Sequence, residues 1–137
     1  MLFRSIAVSS DGRRVAVTAW SSEHARIYDR SHGWRQASIE RLNSQVLALS
    51  FSPDGQRVAL GMRDSTVRLH AAGTGQELQR MGGHLGEVLA VGWGPTGELI
   101  SAGQDGAIRL WDRTTPATAA RVARIPDRML GRSEERV

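Results

Sequence analysis

The sequence predicts an all-β chain of three small four-stranded antiparallel sheets. The first reason is a repeat. One copy reads Val46-Leu47-Ala48-Leu49-Ser50-Phe51-Ser52-Pro53-Asp54-Gly55, then Val58-Ala59-Leu60-Gly61, then Thr66-Val67-Arg68-Leu69-His70. A later copy reads Val88-Leu89-Ala90-Val91-Gly92-Trp93-Gly94-Pro95-Thr96-Gly97, then Ile100-Ser101-Ala102-Gly103, then Ala107-Ile108-Arg109-Leu110-Trp111-Asp112. A fainter one opens the chain with Ile6-Ala7-Val8-Ser9-Ser10-Asp11-Gly12, Val15-Ala16-Val17 and Arg26-Ile27-Tyr28-Asp29. The turn positions Asp11, Asp54 and Thr96 lie 43 and 42 residues apart, a period that signals stacked repeats. The second reason is turn density: Asp-Gly and Pro-x-Gly signals come too often to leave room for helices. The third is that β-branched residues fill the segments between turns.

Each unit yields four strands. The first strands, Phe3–Ser9, Gln45–Ser52 and Glu87–Trp93, are the most apolar, and in Val46–Phe51 apolar residues occupy both alternating sets, as in a strand buried on both faces. The second strands are expected at Arg14–Ala19, Arg57–Gly61 and Leu99–Gly103, and the third at Ala25–Tyr28, Thr66–His70 and Ala107–Trp111. In the third strands Val67 and Leu69 face one way with Arg68 between, and Ile108 and Leu110 do the same around Arg109. The fourth strands, Trp34–Ile39, Glu77–Met81 and Ala119–Ile125, are polar or small, as an exposed outer edge requires. The units therefore run over residues 3–41, 42–82 and 83–125, followed by a charged tail at 126–137.

Composition narrows the function classes. With 40% hydrophobic and 23% charged residues in 137, the chain reads as globular. It has no cysteine, which removes disulfides, thiolate metal sites and thiol nucleophiles, and fits a reducing, cytoplasmic setting. No apolar run approaches the ~20 residues of a membrane span. All 18 basic residues are arginine, a mark of GC-rich coding. Of the net charge of +4, +3 falls from Arg113 onward, where six arginines meet Asp127, Glu134 and Glu135. The repeats themselves are close to neutral, so a nucleic-acid stripe on a folded face is not expected.

Taken together, Phe51-Ser52-Pro53-Asp54-Gly55, Gly83-His84 and Ile108-Arg109-Leu110-Trp111-Asp112 resemble WD40 repeats of a β-propeller. The resemblance implies a buried hydrogen-bonded tetrad in each blade: a loop histidine, a hydroxyl on the second strand, an aspartate in the next turn and a tryptophan on the third strand. His84, Asp105 and Trp111 match it in the third unit, with the hydroxyl position falling on Ala102 beside Ser101. In the second unit Asp64 matches, His70 replaces the tryptophan and Leu42 stands where the loop histidine belongs. In the first unit Tyr28-Asp29 stands for Trp-Asp. Such propellers typically have about 4–8 blades, so three units are not expected to form a closed seven-blade ring alone.

Functional chemistry is sparse. His84 with Asp105 reads as part of the tetrad, not as a catalytic pair. His70 reads as a packing residue. His24 and His32 show no metal-ligand spacing, and no metal or cofactor is expected. Gly73-Thr74-Gly75 lacks the lysine and helix of a phosphate loop and reads as a turn. Trp34 is expected to pack at the start of a fourth strand, the alternative being an exposed interface anchor. The tetrad places the loop histidine and turn aspartate at one end of the blades, which puts Ser44, Gln45, Arg63, Leu85, Gly86, Glu87 and Gln104 on one rim. Propellers of the resembled family present that rim to partners, and loops on a rigid scaffold are where recognition sits.

The expected function is a non-catalytic protein-interaction scaffold, a partial propeller within a larger bacterial regulatory protein. Its partner would be a protein, with self-association completing the ring and no membrane involved. Two alternatives differ in class: an arginine-rich tail binding nucleic acid or an acidic surface, and an enzyme on a propeller scaffold.

Overall fold

The computed structural model describes residues 2–111 and the backbone of residues 121–124. Twelve described strands form three antiparallel sheets of four, each in simple chain order. The first blade holds β1 (Phe3–Val8), β2 (Arg14–Ala19), β3 (Ala25–Asp29) and β4 (Arg35–Ile39). The second holds β5 (Val46–Phe51), β6 (Arg57–Met62), β7 (Val67–Ala71) and β8 (Glu77–Met81). The third holds β9 (Val88–Trp93), β10 (Leu99–Gly103), β11 (Ala107–Trp111) and β12 (Arg121–Arg124). Among the described residues the only helix is one 3-10 turn at Arg30–His32. The charged tail expected at 126–137 lies outside the described residues.

The hairpins form because the turn residues satisfy their own backbone. Ser9 Oγ donates to Asp11 Oδ1 at 2.6 Å, and Ser52 Oγ donates to Asp54 Oδ1 at the same distance. Each carboxylate also accepts the backbone N–H two residues on, from Arg13 and Gln56. These bonds, the serine's foremost, hold both aspartates below the usual carboxylate range. In the third blade the Ser-x-Asp pair is absent, and Thr96 bonds Glu98 instead.

The three blades lie side by side, with inner strands β1 and β9 both packed against β5. Strand β6 shows how one sheet serves two neighbours. Val58, Leu60 and Met62 join Ala16, Ile27 and Ile39 of the first blade, while Ala59 joins Val88, Leu99 and Trp111 of the third. Strand alternation turns this one segment to both interfaces. Polar ties cross the same interfaces: Ser10 Oγ to the Pro53 carbonyl at 2.9 Å, and Trp93 Nε1 to the Ser50 carbonyl at 3.2 Å.

Strand β5 is buried on both faces, as the apolar residues on both alternating sets of Val46–Phe51 predict. Strands β1 and β9 each have one covered face, so Phe3, Ile6, Val8 and Leu89 are exposed. One difference concerns Trp34. It precedes β4, has a φ of 61° and is exposed, so it does not pack as expected. The outer strand β8 is exposed from Glu77 to Arg80, in line with its polar sequence.

Candidate functional site

The third blade contains a continuous buried hydrogen-bond chain. Trp111 Nε1 donates to Ser101 Oγ at 3.0 Å. Ser101 Oγ lies 2.8 Å from His84 Nε2, and His84 Nδ1 lies 3.2 Å from Asp105 Oδ1. Indole nitrogen can only donate and ionised carboxylate can only accept, which fixes the two ends of the chain. The serine hydroxyl accepts from Trp111, His84 Nδ1–H donates to Asp105, and in the neutral imidazole tautomer this requires, the serine donates to His84 Nε2. The carboxylate also accepts the backbone N–H of Leu85 at 2.9 Å and of Ala107 at 3.0 Å. Burial of Asp105 works against its charge, but the Leu85, Ala107 and His84 bonds outweigh it and hold its pKa at about 2.

The hydroxyl in this chain is Ser101, not the Ala102 position the sequence pointed to. Ser101 shares its strand face with Leu99, which is paired across from Trp111, so its side chain turns inward with them. Ala102 points to the opposite face. His84, Ser101, Asp105 and Trp111 thus meet in one place.

Ser101, His84 and Asp105 have the connectivity that activates a serine nucleophile. Their surroundings rule out that use in this conformation. Ser101 is 1% exposed, and its oxygen already accepts the indole N–H. A nucleophile must reach its substrate, and this one is sealed between two blades.

The second blade solves the same problem with different residues. Asp64 meets no histidine, and Leu42, the residue expected in the histidine's place, buries its side chain in the core. Arg68, 2% exposed, instead donates from Nη1 to the Leu42 carbonyl at 2.7 Å and from Nη2 to Asp64 Oδ2 at 2.5 Å. Burial opposes the Asp64 charge, but bonds from Thr66 and Arg68 prevail and its pKa is lowered. In the third blade Arg109 makes the equivalent bond to the Gly83 carbonyl. Both straps span 26 residues, so Leu42 aligns with Gly83 and not with His84. His70 sits in the tryptophan position, buried, with Nδ1 2.9 Å from the Gly75 carbonyl. Burial pushes its pKa down, so it is held neutral.

Of the residues expected on one rim, Gln45, Arg63, Glu87 and Gln104 are linked in a row. Arg63 Nη1 donates to Gln45 Oε1 at 3.2 Å, and Arg63 Nε lies 3.2 Å from Glu87 Oε1 across the blade boundary. Gln104 N–H donates to the Glu87 carbonyl at 2.8 Å, and Gly86 lies against the Gln104 side chain. Ser44 is buried and its hydroxyl caps the Asp64 N–H at 3.0 Å, so it supports the rim without being exposed on it. Leu85 is the most exposed large apolar residue described, at 82%. At the same end of the first blade, in the β2–β3 turn, Trp20 is exposed beneath Arg4, whose guanidinium carbon lies 4.3 Å from the ring centre.

The sequence pattern of this architecture matches a known family. The WD domain, G-beta repeat family matches residues 37–70 and 75–112. The chain belongs to the WD40 repeat family. Each WD40 match begins at or beside the outer strand of one blade and runs through three strands of the next, so the sequence repeat and the sheet are offset by a strand.

Among curated proteins, the chain is 32% identical over 130 residues to the Cell division cycle protein cdt2 of Schizosaccharomyces pombe, covering 85% of this chain and 26% of that one. It is 30% identical over 87 residues to Pre-mRNA-processing factor 19 homolog 2 of Arabidopsis thaliana, covering 62% of this chain and 17% of that one. It is 34% identical over 71 residues to WD repeat-containing protein 1 of Gallus gallus, covering 49% and 12%. The chain therefore spans about a quarter or less of the length of these relatives.

No described helix is long and apolar enough to cross a membrane. Among the described residues no group of three or more histidines and carboxylates could hold a metal ion. The arginine-rich stretch from 113 onward lies outside the described residues, apart from the backbone of β12.

Proposed function

We propose that this WD40 chain is a non-catalytic protein-interaction scaffold, a partial propeller that offers its loop-bearing rim to a protein partner within a larger regulatory protein. The observation that carries this reading is the rim itself. Gln45, Arg63, Glu87 and Gln104 form a fixed polar ribbon across two blades, and Leu85 projects beside it into solvent. An exposed apolar residue next to a charged pair and its hydrogen-bonded neighbours is the composition of a recognition patch: an anchor with a polar surround. The buried third-blade chain below holds the loop carrying Leu85 rigid, which lowers the entropy lost on binding. The greater length of the WD40 relatives supports placing these blades in a larger protein.

The test is site-specific photo-crosslinking in the organism's extract, with a photoreactive residue at Leu85 and, as control, at exposed Leu78 on outer strand β8. A discrete protein adduct from position 85 and none from 78 is expected. Equal patterns from both positions, or none from 85, would remove the rim reading.

A further inference from the structure

At the end of the blades opposite the rim, a cavity of about 290 Å³ opens between the first and second blades. Arg13, Arg14, Asp29, His32 and Arg35 line it from one side, and the Gly73-Thr74 turn closes the other. Three guanidiniums therefore surround one carboxylate. Asp29 is already engaged: Arg13 Nε lies 3.1 and 3.0 Å from its two oxygens, and Ser31 donates its N–H at 3.0 Å and its hydroxyl at 2.7 Å.

The other two arginines are less committed. The Arg14 side chain is only 10% exposed. Its Nη1 donates to the Gly55 carbonyl at 2.8 Å. Its buried Nε makes no hydrogen bond, the nearest acid being Asp29 Oδ2 at 3.5 Å. Its Nη2 borders Gly73, where an added Cβ would sit 3.5 Å away. Arg35 stands across the β3–β4 ladder from Asp29, and its guanidinium has no hydrogen-bond or ion-pair partner among the described residues.

We propose that this cavity binds a phosphate monoester, held by Arg14 and Arg35 with Arg13 and His32 at its edge. The charge balance selects the ligand. Three arginines against one aspartate leave a formal +2, which matches the roughly −1.5 to −2 of a phosphate monoester near neutral pH and exceeds a single carboxylate. Guanidinium forks suit the paired oxygens of such a group. The volume admits a phosphorylated side chain or a small ester and excludes a long polyanion. The glycine turn here supplies space, not a phosphate loop. The site shares no residue with the rim and does not depend on the scaffold reading.

Calorimetric titration of the full chain with inorganic phosphate, O-phosphoserine and an end-capped peptide carrying one phosphoserine tests the proposal. Saturable one-site binding of at least one probe is expected. Arg35→Gln should weaken it about tenfold or more, the loss of a charge-assisted hydrogen bond. Arg35 is exposed and unpartnered, so the variant should keep the wild-type circular dichroism. Gly73→Glu, which brings a carboxylate beside Arg14, should weaken binding as well. Arg80→Gln, whose parent residue pairs with Glu77 on outer strand β8, should leave it unchanged. Peptide binding at least tenfold tighter than phosphoserine binding assigns the site to a phosphorylated protein, and equal affinity assigns it to a free ester. Absence of saturable binding to all three probes, or equal affinity in wild type and Arg35→Gln, would overturn the proposal.

Discussion

Ser101 joins a tryptophan and a histidine through one oxygen, so its removal leaves two buried polar groups unpaired. Ser101→Ala should therefore destabilise the chain by about 1–3 kcal/mol in urea unfolding, although the side-chain volume barely changes. Trp111→Ala removes the same bond and a buried ring, and should cost about 3–5 kcal/mol. His70 gives a pH signature. Its folded pKa lies below the ordinary 6.5, so the unfolded chain takes up the proton first. Stability should be full above pH ~6.5 and fall as the pH drops below it, and His70→Phe should flatten that part of the profile. Three members of the third-blade chain were legible in the sequence because His84, Asp105 and Trp111 carry distinctive side chains at family spacing. The serine was not, because a one-residue offset on a strand reverses the face, and spacing alone did not show which face Ser101 occupies.

Strand positions were the most legible feature. The expected Arg14–Ala19, Leu99–Gly103, Ala107–Trp111 and Glu77–Met81 agree with the observed bounds, because turn residues with one conformational solution punctuate each strand. The arginine straps were missed. Alternation around Arg68 reads as one dry face and one wet face, but the middle blade is covered on both sides, so its polar face is buried too. The repeated Val-Arg-Leu and Ile-Arg-Leu triplets, each with its arginine at the same distance from a loop carbonyl, were the available signal. Close approach between elements makes a further prediction. A Cβ on Gly103 would lie 2.7 Å from His84 Nδ1 and 2.9 Å from Asp105 Oδ1. Gly103→Ala should push β10 away from the loop and destabilise the chain by about 1–3 kcal/mol, read from the urea midpoint.

At the scale of the molecule, the first blade turns an apolar sheet face outward, away from the second. Ile6 is 66% exposed, with Phe3 and Val8 exposed along the same strand. Apolar patches of this kind favour association. Light scattering should show a mass that rises with concentration above that of one chain, and Ile6→Glu should restore the single-chain mass; a concentration-independent single-chain mass for the wild type would remove the self-association expectation. The same geometry makes the middle blade the best supported, since it alone has neighbours on both sides, and blades of this kind draw much of their stability from the interfaces between them. Native-state hydrogen exchange of the full chain reads that dependence strand by strand. The amides of β6 are predicted to be the slowest to exchange, with those of the central strands β2 and β10 opening at lower free energy. Equal protection in all three blades, or slower exchange in β2 than in β6, would show that the blades stand independently and would contradict the account.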